Sequence, residues 1–520
     1  MNDFDFEWQP GTFASCNQAM LEDCSRLYSK HYGDWSEHHP VETMRCKNVR
    51  LSANEIAKWL KPENSNIYLA RYKQNLIGYA IAVRAQIPAT KKVIAWITQL
   101  VVHRDYRNSD VAKNLLYSAW GFSNDFAWGL ISASPYAVRA LEKATRRRCN
   151  PIEIKENIES ILQMGAVATS YITPRQEHTV NTGTSKINTE FYVDHSTIDF
   201  MLERVTTDTT PWTLGHLEEG WEWIAFTFNN QPQIPLKKEE LNRMLETSDS
   251  VVQSAYDRMK ITTEHKWAGE TDAEVDFIIN ECGLCDKSSV IDFGCGNGRH
   301  AISLAKRKIP VLGIDYAENH IAAAKKKANG EHLSFQQADC RHVNVGENSA
   351  DAVICLYDVV GSYADDESNL QILRNLYRHL KPGGLAIISV MNYDLTLAAA
   401  KNKFVLDRDS KILLSLPASN TMEKTGDVFN PEYYAVDTEK HIVYRKEQFQ
   451  QGNQLPIEMI VRDRRFTQEE ITSMCEQVGF NVLFTRRVKL GKWAIDDKNG
   501  KEILIKCQKR ETNGLLFAAG

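Results

Sequence analysis

The run Val290-Ile291-Asp292-Phe293-Gly294-Cys295-Gly296-Asn297-Gly298, an apolar strand that enters three alternating glycines and then a helix over 299–308, constrains this chain more than any other stretch. Glycines without a Cβ let the backbone approach a ligand closely, and the N–H groups that open the following helix offer themselves to a polar or anionic group. Asp315, 21 positions beyond Gly294, closes the next strand, where a carboxylate takes both hydroxyls of a ribose. The spacing Gly-x-Gly-x-Gly differs from the dinucleotide fingerprint. Strands expected at 290–293, 311–315, 333–336, 352–356 and 385–390 alternate with helices at 299–308, 318–328 and 369–380. This alternation predicts an α/β, doubly wound parallel sheet.

A single core rarely grows past about 250–300 residues, so a chain of 520 must hold another unit ahead of the glycine loop. The pattern there is different. Short strands at 67–70 and 76–83 flank the turn Tyr72-Lys73-Gln74-Asn75, and a long strand at 91–102 passes through Arg104 to Asp110 into a helix at 112–124. With a strand at 128–132 and a helix at 136–145, this predicts a mixed, mainly antiparallel α+β domain. The stretch 229–250, polar and carrying Pro232 and Pro235, marks the division. The expected layout is a first domain at 1–235, a linker at 236–253, a second domain at 254–510 with an insert at 392–465, and a tail at 511–520.

The glycine run resembles the first motif of class I S-adenosylmethionine-dependent methyltransferases, and the similarity extends over about 254–510. The resemblance implies a Rossmann-like domain that binds S-adenosylmethionine. It assigns Asp292, Gly294, Cys295, Gly296 and Gly298 to the cofactor loop, Asp315 and Tyr316 to the ribose side, and Asp339 and Cys340 to the adenine side. Lys381-Pro-Gly-Gly and Phe466-Thr-Gln-Glu-Glu-Ile match later turns of the family. Gly298-Arg-His-Ala-Ile-Ser-Leu-Ala and the approach from Tyr256 to Glu274-Val-Asp-Phe are similar to enzymes that methylate small molecules. In those enzymes the approach helix folds over the cofactor, so Tyr256 is a lid candidate.

Methyl transfer from a sulfonium depends on alignment more than on acid–base chemistry, so catalytic residues are weakly encoded. Leu356, on the cofactor side, leads into Tyr357 and Asp358, which hold the position where the family places acceptor-facing residues. Asp358 reads either as a base or orienting carboxylate, or as a helix-capping Asp beyond a strand. The stretch lacks the Asn-Pro-Pro-Tyr of amino-group methylation on adenine in DNA. The insert carries Tyr433, Tyr434, Tyr444, Arg445 and Arg462-Asp-Arg-Arg; it reads as a lid over the acceptor by resemblance and as a solvated β-hairpin by its charge.

In the first half, Val101 to Ala112 resembles the acyl-coenzyme A pyrophosphate loop of the GNAT superfamily of N-acetyltransferases. Arg107, Val111 and Ala112 fit its pattern, while Asp110 stands where its first glycine belongs. The resemblance implies acetyl-CoA as cofactor, with Leu100 and Val102 meeting the pantetheine through their backbone and Tyr136 as the acid that protonates the leaving thiolate. A carboxylate and a Cβ at Asp110 oppose a pyrophosphate, and this favours a regulatory pseudoenzyme as the competing reading. Glu190, Asp194 and His195 are acceptor-side candidates or surface residues.

The balance of 62 basic and 67 acidic residues gives a net charge of −5, which excludes a polycation held on nucleic acid by bulk charge. A small-molecule acceptor is therefore expected over tRNA or another nucleic acid, although Arg146-Arg147-Arg148 and 462–465 keep that alternative open. The longest apolar stretches are strand-sized, so no membrane span is expected, and the acidic start does not read as a secretory signal. Ordinary cysteine usage points to a reducing cytoplasm. Cys282-Gly-Leu-Cys285 has no second pair at zinc spacing and reads as a helix end with two half-buried thiols; no metal is expected.

Overall fold

In the computed structural model, residues 4–60, 63–87, 90–246, 248–259, 268–328, 332–406, 411–424, 430–450 and 455–511 are described. The tail expected at 511–520 lies, beyond Glu511, outside them. The chain divides into two units, Met1–Pro235 with Gln450–Ile457, and Leu236–Phe449 with Glu458–Gly520.

The first unit is built on eight strands: β1 (Asp5–Pro10), β2 (Ser65–Tyr72), β3 (Asn75–Gln86), β4 (Val93–Val102), β5 (Ala127–Ser132), β6 (His178–Asn181), β7 (Thr184–Phe191) and β8 (Gly220–Phe228). They lie in the order β1-β2-β3-β4-β5-β8-β7-β6. Lys73 and Gln74 at the β2–β3 turn both take positive φ, as a tight two-residue hairpin matched to the strand twist requires. Only β4 and β5 pair in parallel, and only from Ile94 to Ile97 against Ala127 to Leu130. Beyond Ile97 the β3–β4 register slips at Ile81/Ala82, and β4 diverges from β5. Trp96, Trp120, Trp223 and Phe226 fill the core that holds this divergence open.

The second unit carries β9 (Val290–Phe293), β10 (Val311–Asp315), β11 (Leu333–Gln337), β12 (Ala350–Cys355) and β13 (Leu380–Met391), all parallel. Its insert holds β14 (Asn402–Phe404), β15 (Ala418–Ser419), β16 (Tyr434–Asp437), β17 (Ile442–Phe449) and β18 (Ile457–Arg464). After it come β19 (Phe480–Val488) and β20 (Glu502–Lys509); β20 pairs antiparallel with β13, and β19 pairs antiparallel with β20 at the edge, in the order β11-β10-β9-β12-β13-β20-β19. The order reverses between β9 and β12, and at such a switch point the carboxyl ends of the strands leave a crevice for a ligand.

The stretch expected as a linker at 236–253 is not one. It forms the helices Lys238–Leu245 and Asp249–Arg258. Polar residues dominate its composition because one face alone is apolar. Leu241 is buried among Phe404, Leu413, Tyr444 and Ile460, with Met244 and Leu245 beside it. Substituting Leu241 with Ala is expected to lower the stability of this unit by about 2–4 kcal/mol, seen as an earlier urea midpoint with an unchanged m-value; an unmoved midpoint would show that the helix is not packed.

Candidate functional site

At the end of β9 the chain turns through Gly294, Gly296 and Gly298, with φ of +73°, +54° and +80°. Side chains are excluded there twice over, by conformation and by space. A Cβ on Gly294 would come 2.2 Å from Val359 Cγ2, and one on Gly298 would come 2.5 Å from Phe335 Cζ. The loop is tied to the next strand, because Gly296 N–H donates to Asp315 Oδ2 at 2.8 Å and Ala317 N–H donates to Oδ1 at 2.8 Å. Asp315 thus stands at the tip of β10 with one lone pair on each oxygen left for a diol. Burial raises its carboxyl, with His320 and these N–H groups opposing.

Beneath the loop, Asp292 is buried and its Oδ2 has no hydrogen-bond partner among the described residues. Burial pushes this carboxyl up to about 7, Arg299 opposing and Asp315 adding. An orphaned acidic oxygen under a glycine cradle, facing a switch point, fits the amino-acid end and ribose of S-adenosylmethionine. Tyr256, on helix Asp249–Arg258, meets the Tyr316 ring edge-on at 6.3 Å. That helix is fixed from its end: Asp257 accepts from the backbone N–H of Asn319 at 2.9 Å and so caps helix Glu318–Lys327 from outside. Cys295, Cys340 and Leu356 are buried packing around the cleft.

Asp339 is more committed than its expected adenine role suggests. Arg341 closes on it, with Nη2 2.6 Å from Oδ2, Nε 3.1 Å from both oxygens and the backbone N–H 2.8 Å from Oδ1. Arg341 also reaches Asp249 at 2.6 Å. Burial raises the Asp339 carboxyl, but Arg341 outweighs it and holds the group below its ordinary range.

After β12, Tyr357 takes a φ of +66°, a strained conformation for an aromatic residue. Its N–H donates to Ser389 Oγ at 2.5 Å, and its hydroxyl donates to Glu274 Oε1 at 2.6 Å. Glu274 is fully buried and also meets Arg299 Nη1 at 3.0 Å and His300 Nε2 at 2.8 Å. Burial, with Arg299, lowers His300 to about 4, so a neutral imidazole faces the carboxylate. Tyr357 is thereby a held ring, its hydroxyl engaged with Glu274.

Asp358, one residue on, points elsewhere, 3.5 Å from Arg465. The loop that carries it is pinned by buried Asn369, which accepts from Gly361 N–H at 2.8 Å and donates to Tyr363 and Asp365 carbonyls at 2.9 Å. Glu274 and His300 carry no site role in the sequence reading, and Arg465 enters it only within the run 462–465. Glu274 and His300 stand inside the motif stretches that suggested a small-molecule enzyme, but nothing in their spacing marks them as partners.

In the first unit, the edge of β4 that faces β5 loses its partner beyond Ile97, so the backbone of Leu100 and Val102 lies along the divergence. The loop that follows keeps a glycine-like path without glycine. Asn108 and Asp110 both sit in the left-handed region, at φ +63° and +60°. Asn and Asp tolerate that region best among residues with a side chain. The carboxylate of Asp110 is paired with Lys113 Nζ at 2.7 Å. Helix Val111–Trp120 starts directly behind, with Val111 buried and Ala112 half-buried. Arg107 is held against the carbonyls of Val102, at 3.4 Å, and His31. Tyr136 lies half-buried in the first turn of helix Pro135–Thr145.

Cys282 ends helix Thr271–Cys282, with Gly283 in the left-handed cap at φ +60°. Burial pushes the Cys282 thiol up to about 12. Cys285 is exposed, where both thiols were expected half-buried, because the chain leaves the helix beyond Gly283. Among the described residues no group of His, Cys, Asp and Glu is placed to hold a metal, and no helix is long and apolar enough to cross a membrane.

Residues 290–384 match the methyltransferase domain family, and residues 23–132 match the acetyltransferase (GNAT) family. Methyltransferase-named YqeM of Bacillus subtilis (strain 168) is 24% identical over 210 residues, 39% of this chain and 77% of that protein. The ubiquinone biosynthesis O-methyltransferase of Rickettsia conorii is 35% identical over 108 residues, 20% of this chain and 36% of that protein. The glycine/sarcosine N-methyltransferase of Parasynechococcus marenigrum is 31% identical over 134 residues, 25% of this chain and 48% of that protein. The chain thus spans less than half the length of the last two. A solved S-adenosylmethionine-dependent methyltransferase from Clostridium acetobutylicum superposes with a TM-score of 0.35 at 16% identity, covering 48% of this chain and 94% of that one. With both family matches in place, the chain carries a GNAT acetyltransferase-family domain at residues 23–132 and a methyltransferase domain at residues 290–384.

Proposed function

We propose that the second unit transfers a methyl group from S-adenosylmethionine to a small molecule, and that the first unit binds acetyl-CoA and acetylates the same or a related molecule. One observation carries the first part: the Asp315 carboxylate, fastened to the glycine loop through Gly296 N–H at 2.8 Å, at the switch point of a parallel sheet. The bound donor supplies an electrophilic methyl carbon. The chain's own residues then do three things. Asp315 and the loop N–H groups orient the donor; the Glu274–Tyr357 contact fixes one wall; Asp358 faces the acceptor side.

In the two arginine runs that would have favoured a nucleic acid, several side chains are already matched within the fold. Arg147 is buried and bonds the carbonyls of Thr145 and Asn229, and Arg148 reaches Glu142 at 2.9 Å. Arg464 is buried on Asp366 and Glu470, and Arg465 is buried beside Asp358. Arginines already matched in this way offer little to phosphates, which supports a small acceptor. All eleven cysteines are free thiols, in keeping with a cytoplasmic setting.

For the first unit, the left-handed path at Asp110 supports acetyl-CoA binding. The conformation that a pyrophosphate loop asks of glycine is retained, and Lys113 offsets the charge. Tyr136 is proposed to protonate the leaving thiolate.

Two outcomes are expected. In calorimetry on the intact chain, Asp315→Ala weakens S-adenosylmethionine binding about 100-fold through the loss of charge-assisted bonds to the ribose; unchanged affinity would remove the site assignment. Acetyl-CoA binds the intact chain, and Asp110→Gly tightens it about five- to tenfold by relieving left-handed strain and a repelling charge. Absence of binding by both proteins would leave the first unit a pseudoenzyme.

A further inference from the structure

The insert turns charged side chains into its own interior. Arg445 and Glu447 on β17, Asp463 on β18 and Arg465 just beyond it are each 2% exposed or less. They form a continuous chain: Arg445 pairs with Asp463 and, at 3.2 Å, with Glu447, while Arg465 lies 3.5 Å from Asp463 and 3.5 Å from Asp358. This chain is brought to the carboxyl end of β12, because Arg464 N–H donates to Gly361 O at 2.7 Å. A Cβ on Gly361 would fall 2.6 Å from Arg464 O, so that approach needs glycine. Tyr256 looks onto the same groups. Burial raises its phenol well above the ordinary value, with Asp463 and Asp358 adding and Arg445 and Arg465 opposing.

Three carboxylates here meet two guanidinium groups, and both guanidinium groups are already spanned by carboxylates. Asp463 Oδ1, fully buried, has no hydrogen-bond partner among the described residues. Buried charge of one sign in excess requires a partner of the other. An anionic acceptor would meet carboxylates, whereas a cation would complete the set.

We propose that the methyl acceptor is an amine, bound as its ammonium between Asp463 and Asp358 under the Tyr256 ring, and that Asp358 removes its proton. This rests on the reading of the second unit as an S-adenosylmethionine-dependent methyltransferase. The ammonium passes one proton to the Asp358 carboxylate. The freed nitrogen lone pair forms the N–C bond to the donor's methyl carbon as the C–S bond breaks, its electron pair staying on sulfur. The positive charge of the sulfonium ends on the methylated ammonium, and the proton on Asp358 returns to water. Burial pushes Asp358 up to about 6, Arg465 opposing and Asp463 adding, so the carboxylate is a stronger base than an exposed one. Arg445 and Arg465 hold the two acids in place, and Tyr256 offers its ring face to the cation.

The test uses the intact chain, methyl-labelled S-adenosylmethionine and a protein-free metabolite extract divided on a cation exchanger into retained amines and flow-through. Label is expected in the retained fraction as N-methylated product. Transfer should rise with pH through about 6, as the carboxylate form of Asp358 accumulates. Asp358→Asn and Asp463→Asn should each cut transfer about 100-fold, with S-adenosylhomocysteine affinity kept within twofold. Asp358→Glu, which keeps the base, should retain measurable transfer with a displaced pH limb. Label confined to the flow-through, or no transfer to either fraction while the donor binds, overturns the inference. Failure of the wild type to bind the donor overturns the methyltransferase reading instead.

Discussion

The hydrogen bond from Gly296 N–H to Asp315 Oδ2 is the contact on which the proposed donor site of the second unit rests. It joins the glycine loop of β9 to the tip of β10 and sets the carboxylate beside the crevice where strand order reverses. Everything around it enforces that closeness. Val359 occupies the space a side chain at Gly294 would need, and Phe335 does the same at Gly298. Both positions therefore require glycine.

A second layer holds the segment after β12. Glu274 collects Arg299 and His300 from one helix and Tyr357 from the loop after β12, and Asn369 ties together the loop from Gly361 to Asp365. Buried polar networks of this kind are costly when incomplete and rigid when satisfied. Asp463 Oδ1 and Asp292 Oδ2 stand out against it as buried oxygens with no partner among the described residues, one in the insert and one beneath the glycine loop.

The parts legible in the sequence were those encoded locally. Glycine spacing, the Asp at a strand end and the alternation of strands and helices each declare themselves within a few residues, so the doubly wound sheet and the glycine turn at its switch point were readable. The hairpin at Lys73 and Gln74 was readable for the same reason. What depended on partners far along the chain was not. Lys238–Leu245 looked like a linker because Leu241 shows its apolar neighbours only after Phe404 and Ile460 have folded against it. The charge of the insert looked solvated, yet Arg445, Glu447, Asp463 and Arg465 pair with one another and lie buried. Asp110 looked prohibitive as a letter; in the fold it occupies the glycine conformation and meets Lys113.

The proposed roles require two separate adenosine-cofactor sites in one chain. Calorimetric titration of S-adenosylhomocysteine and then acetyl-CoA into the same sample of intact protein distinguishes two sites from one. One equivalent of each is expected, with neither displacing the other. Binding of only one ligand, or displacement of the first by the second, would contradict it.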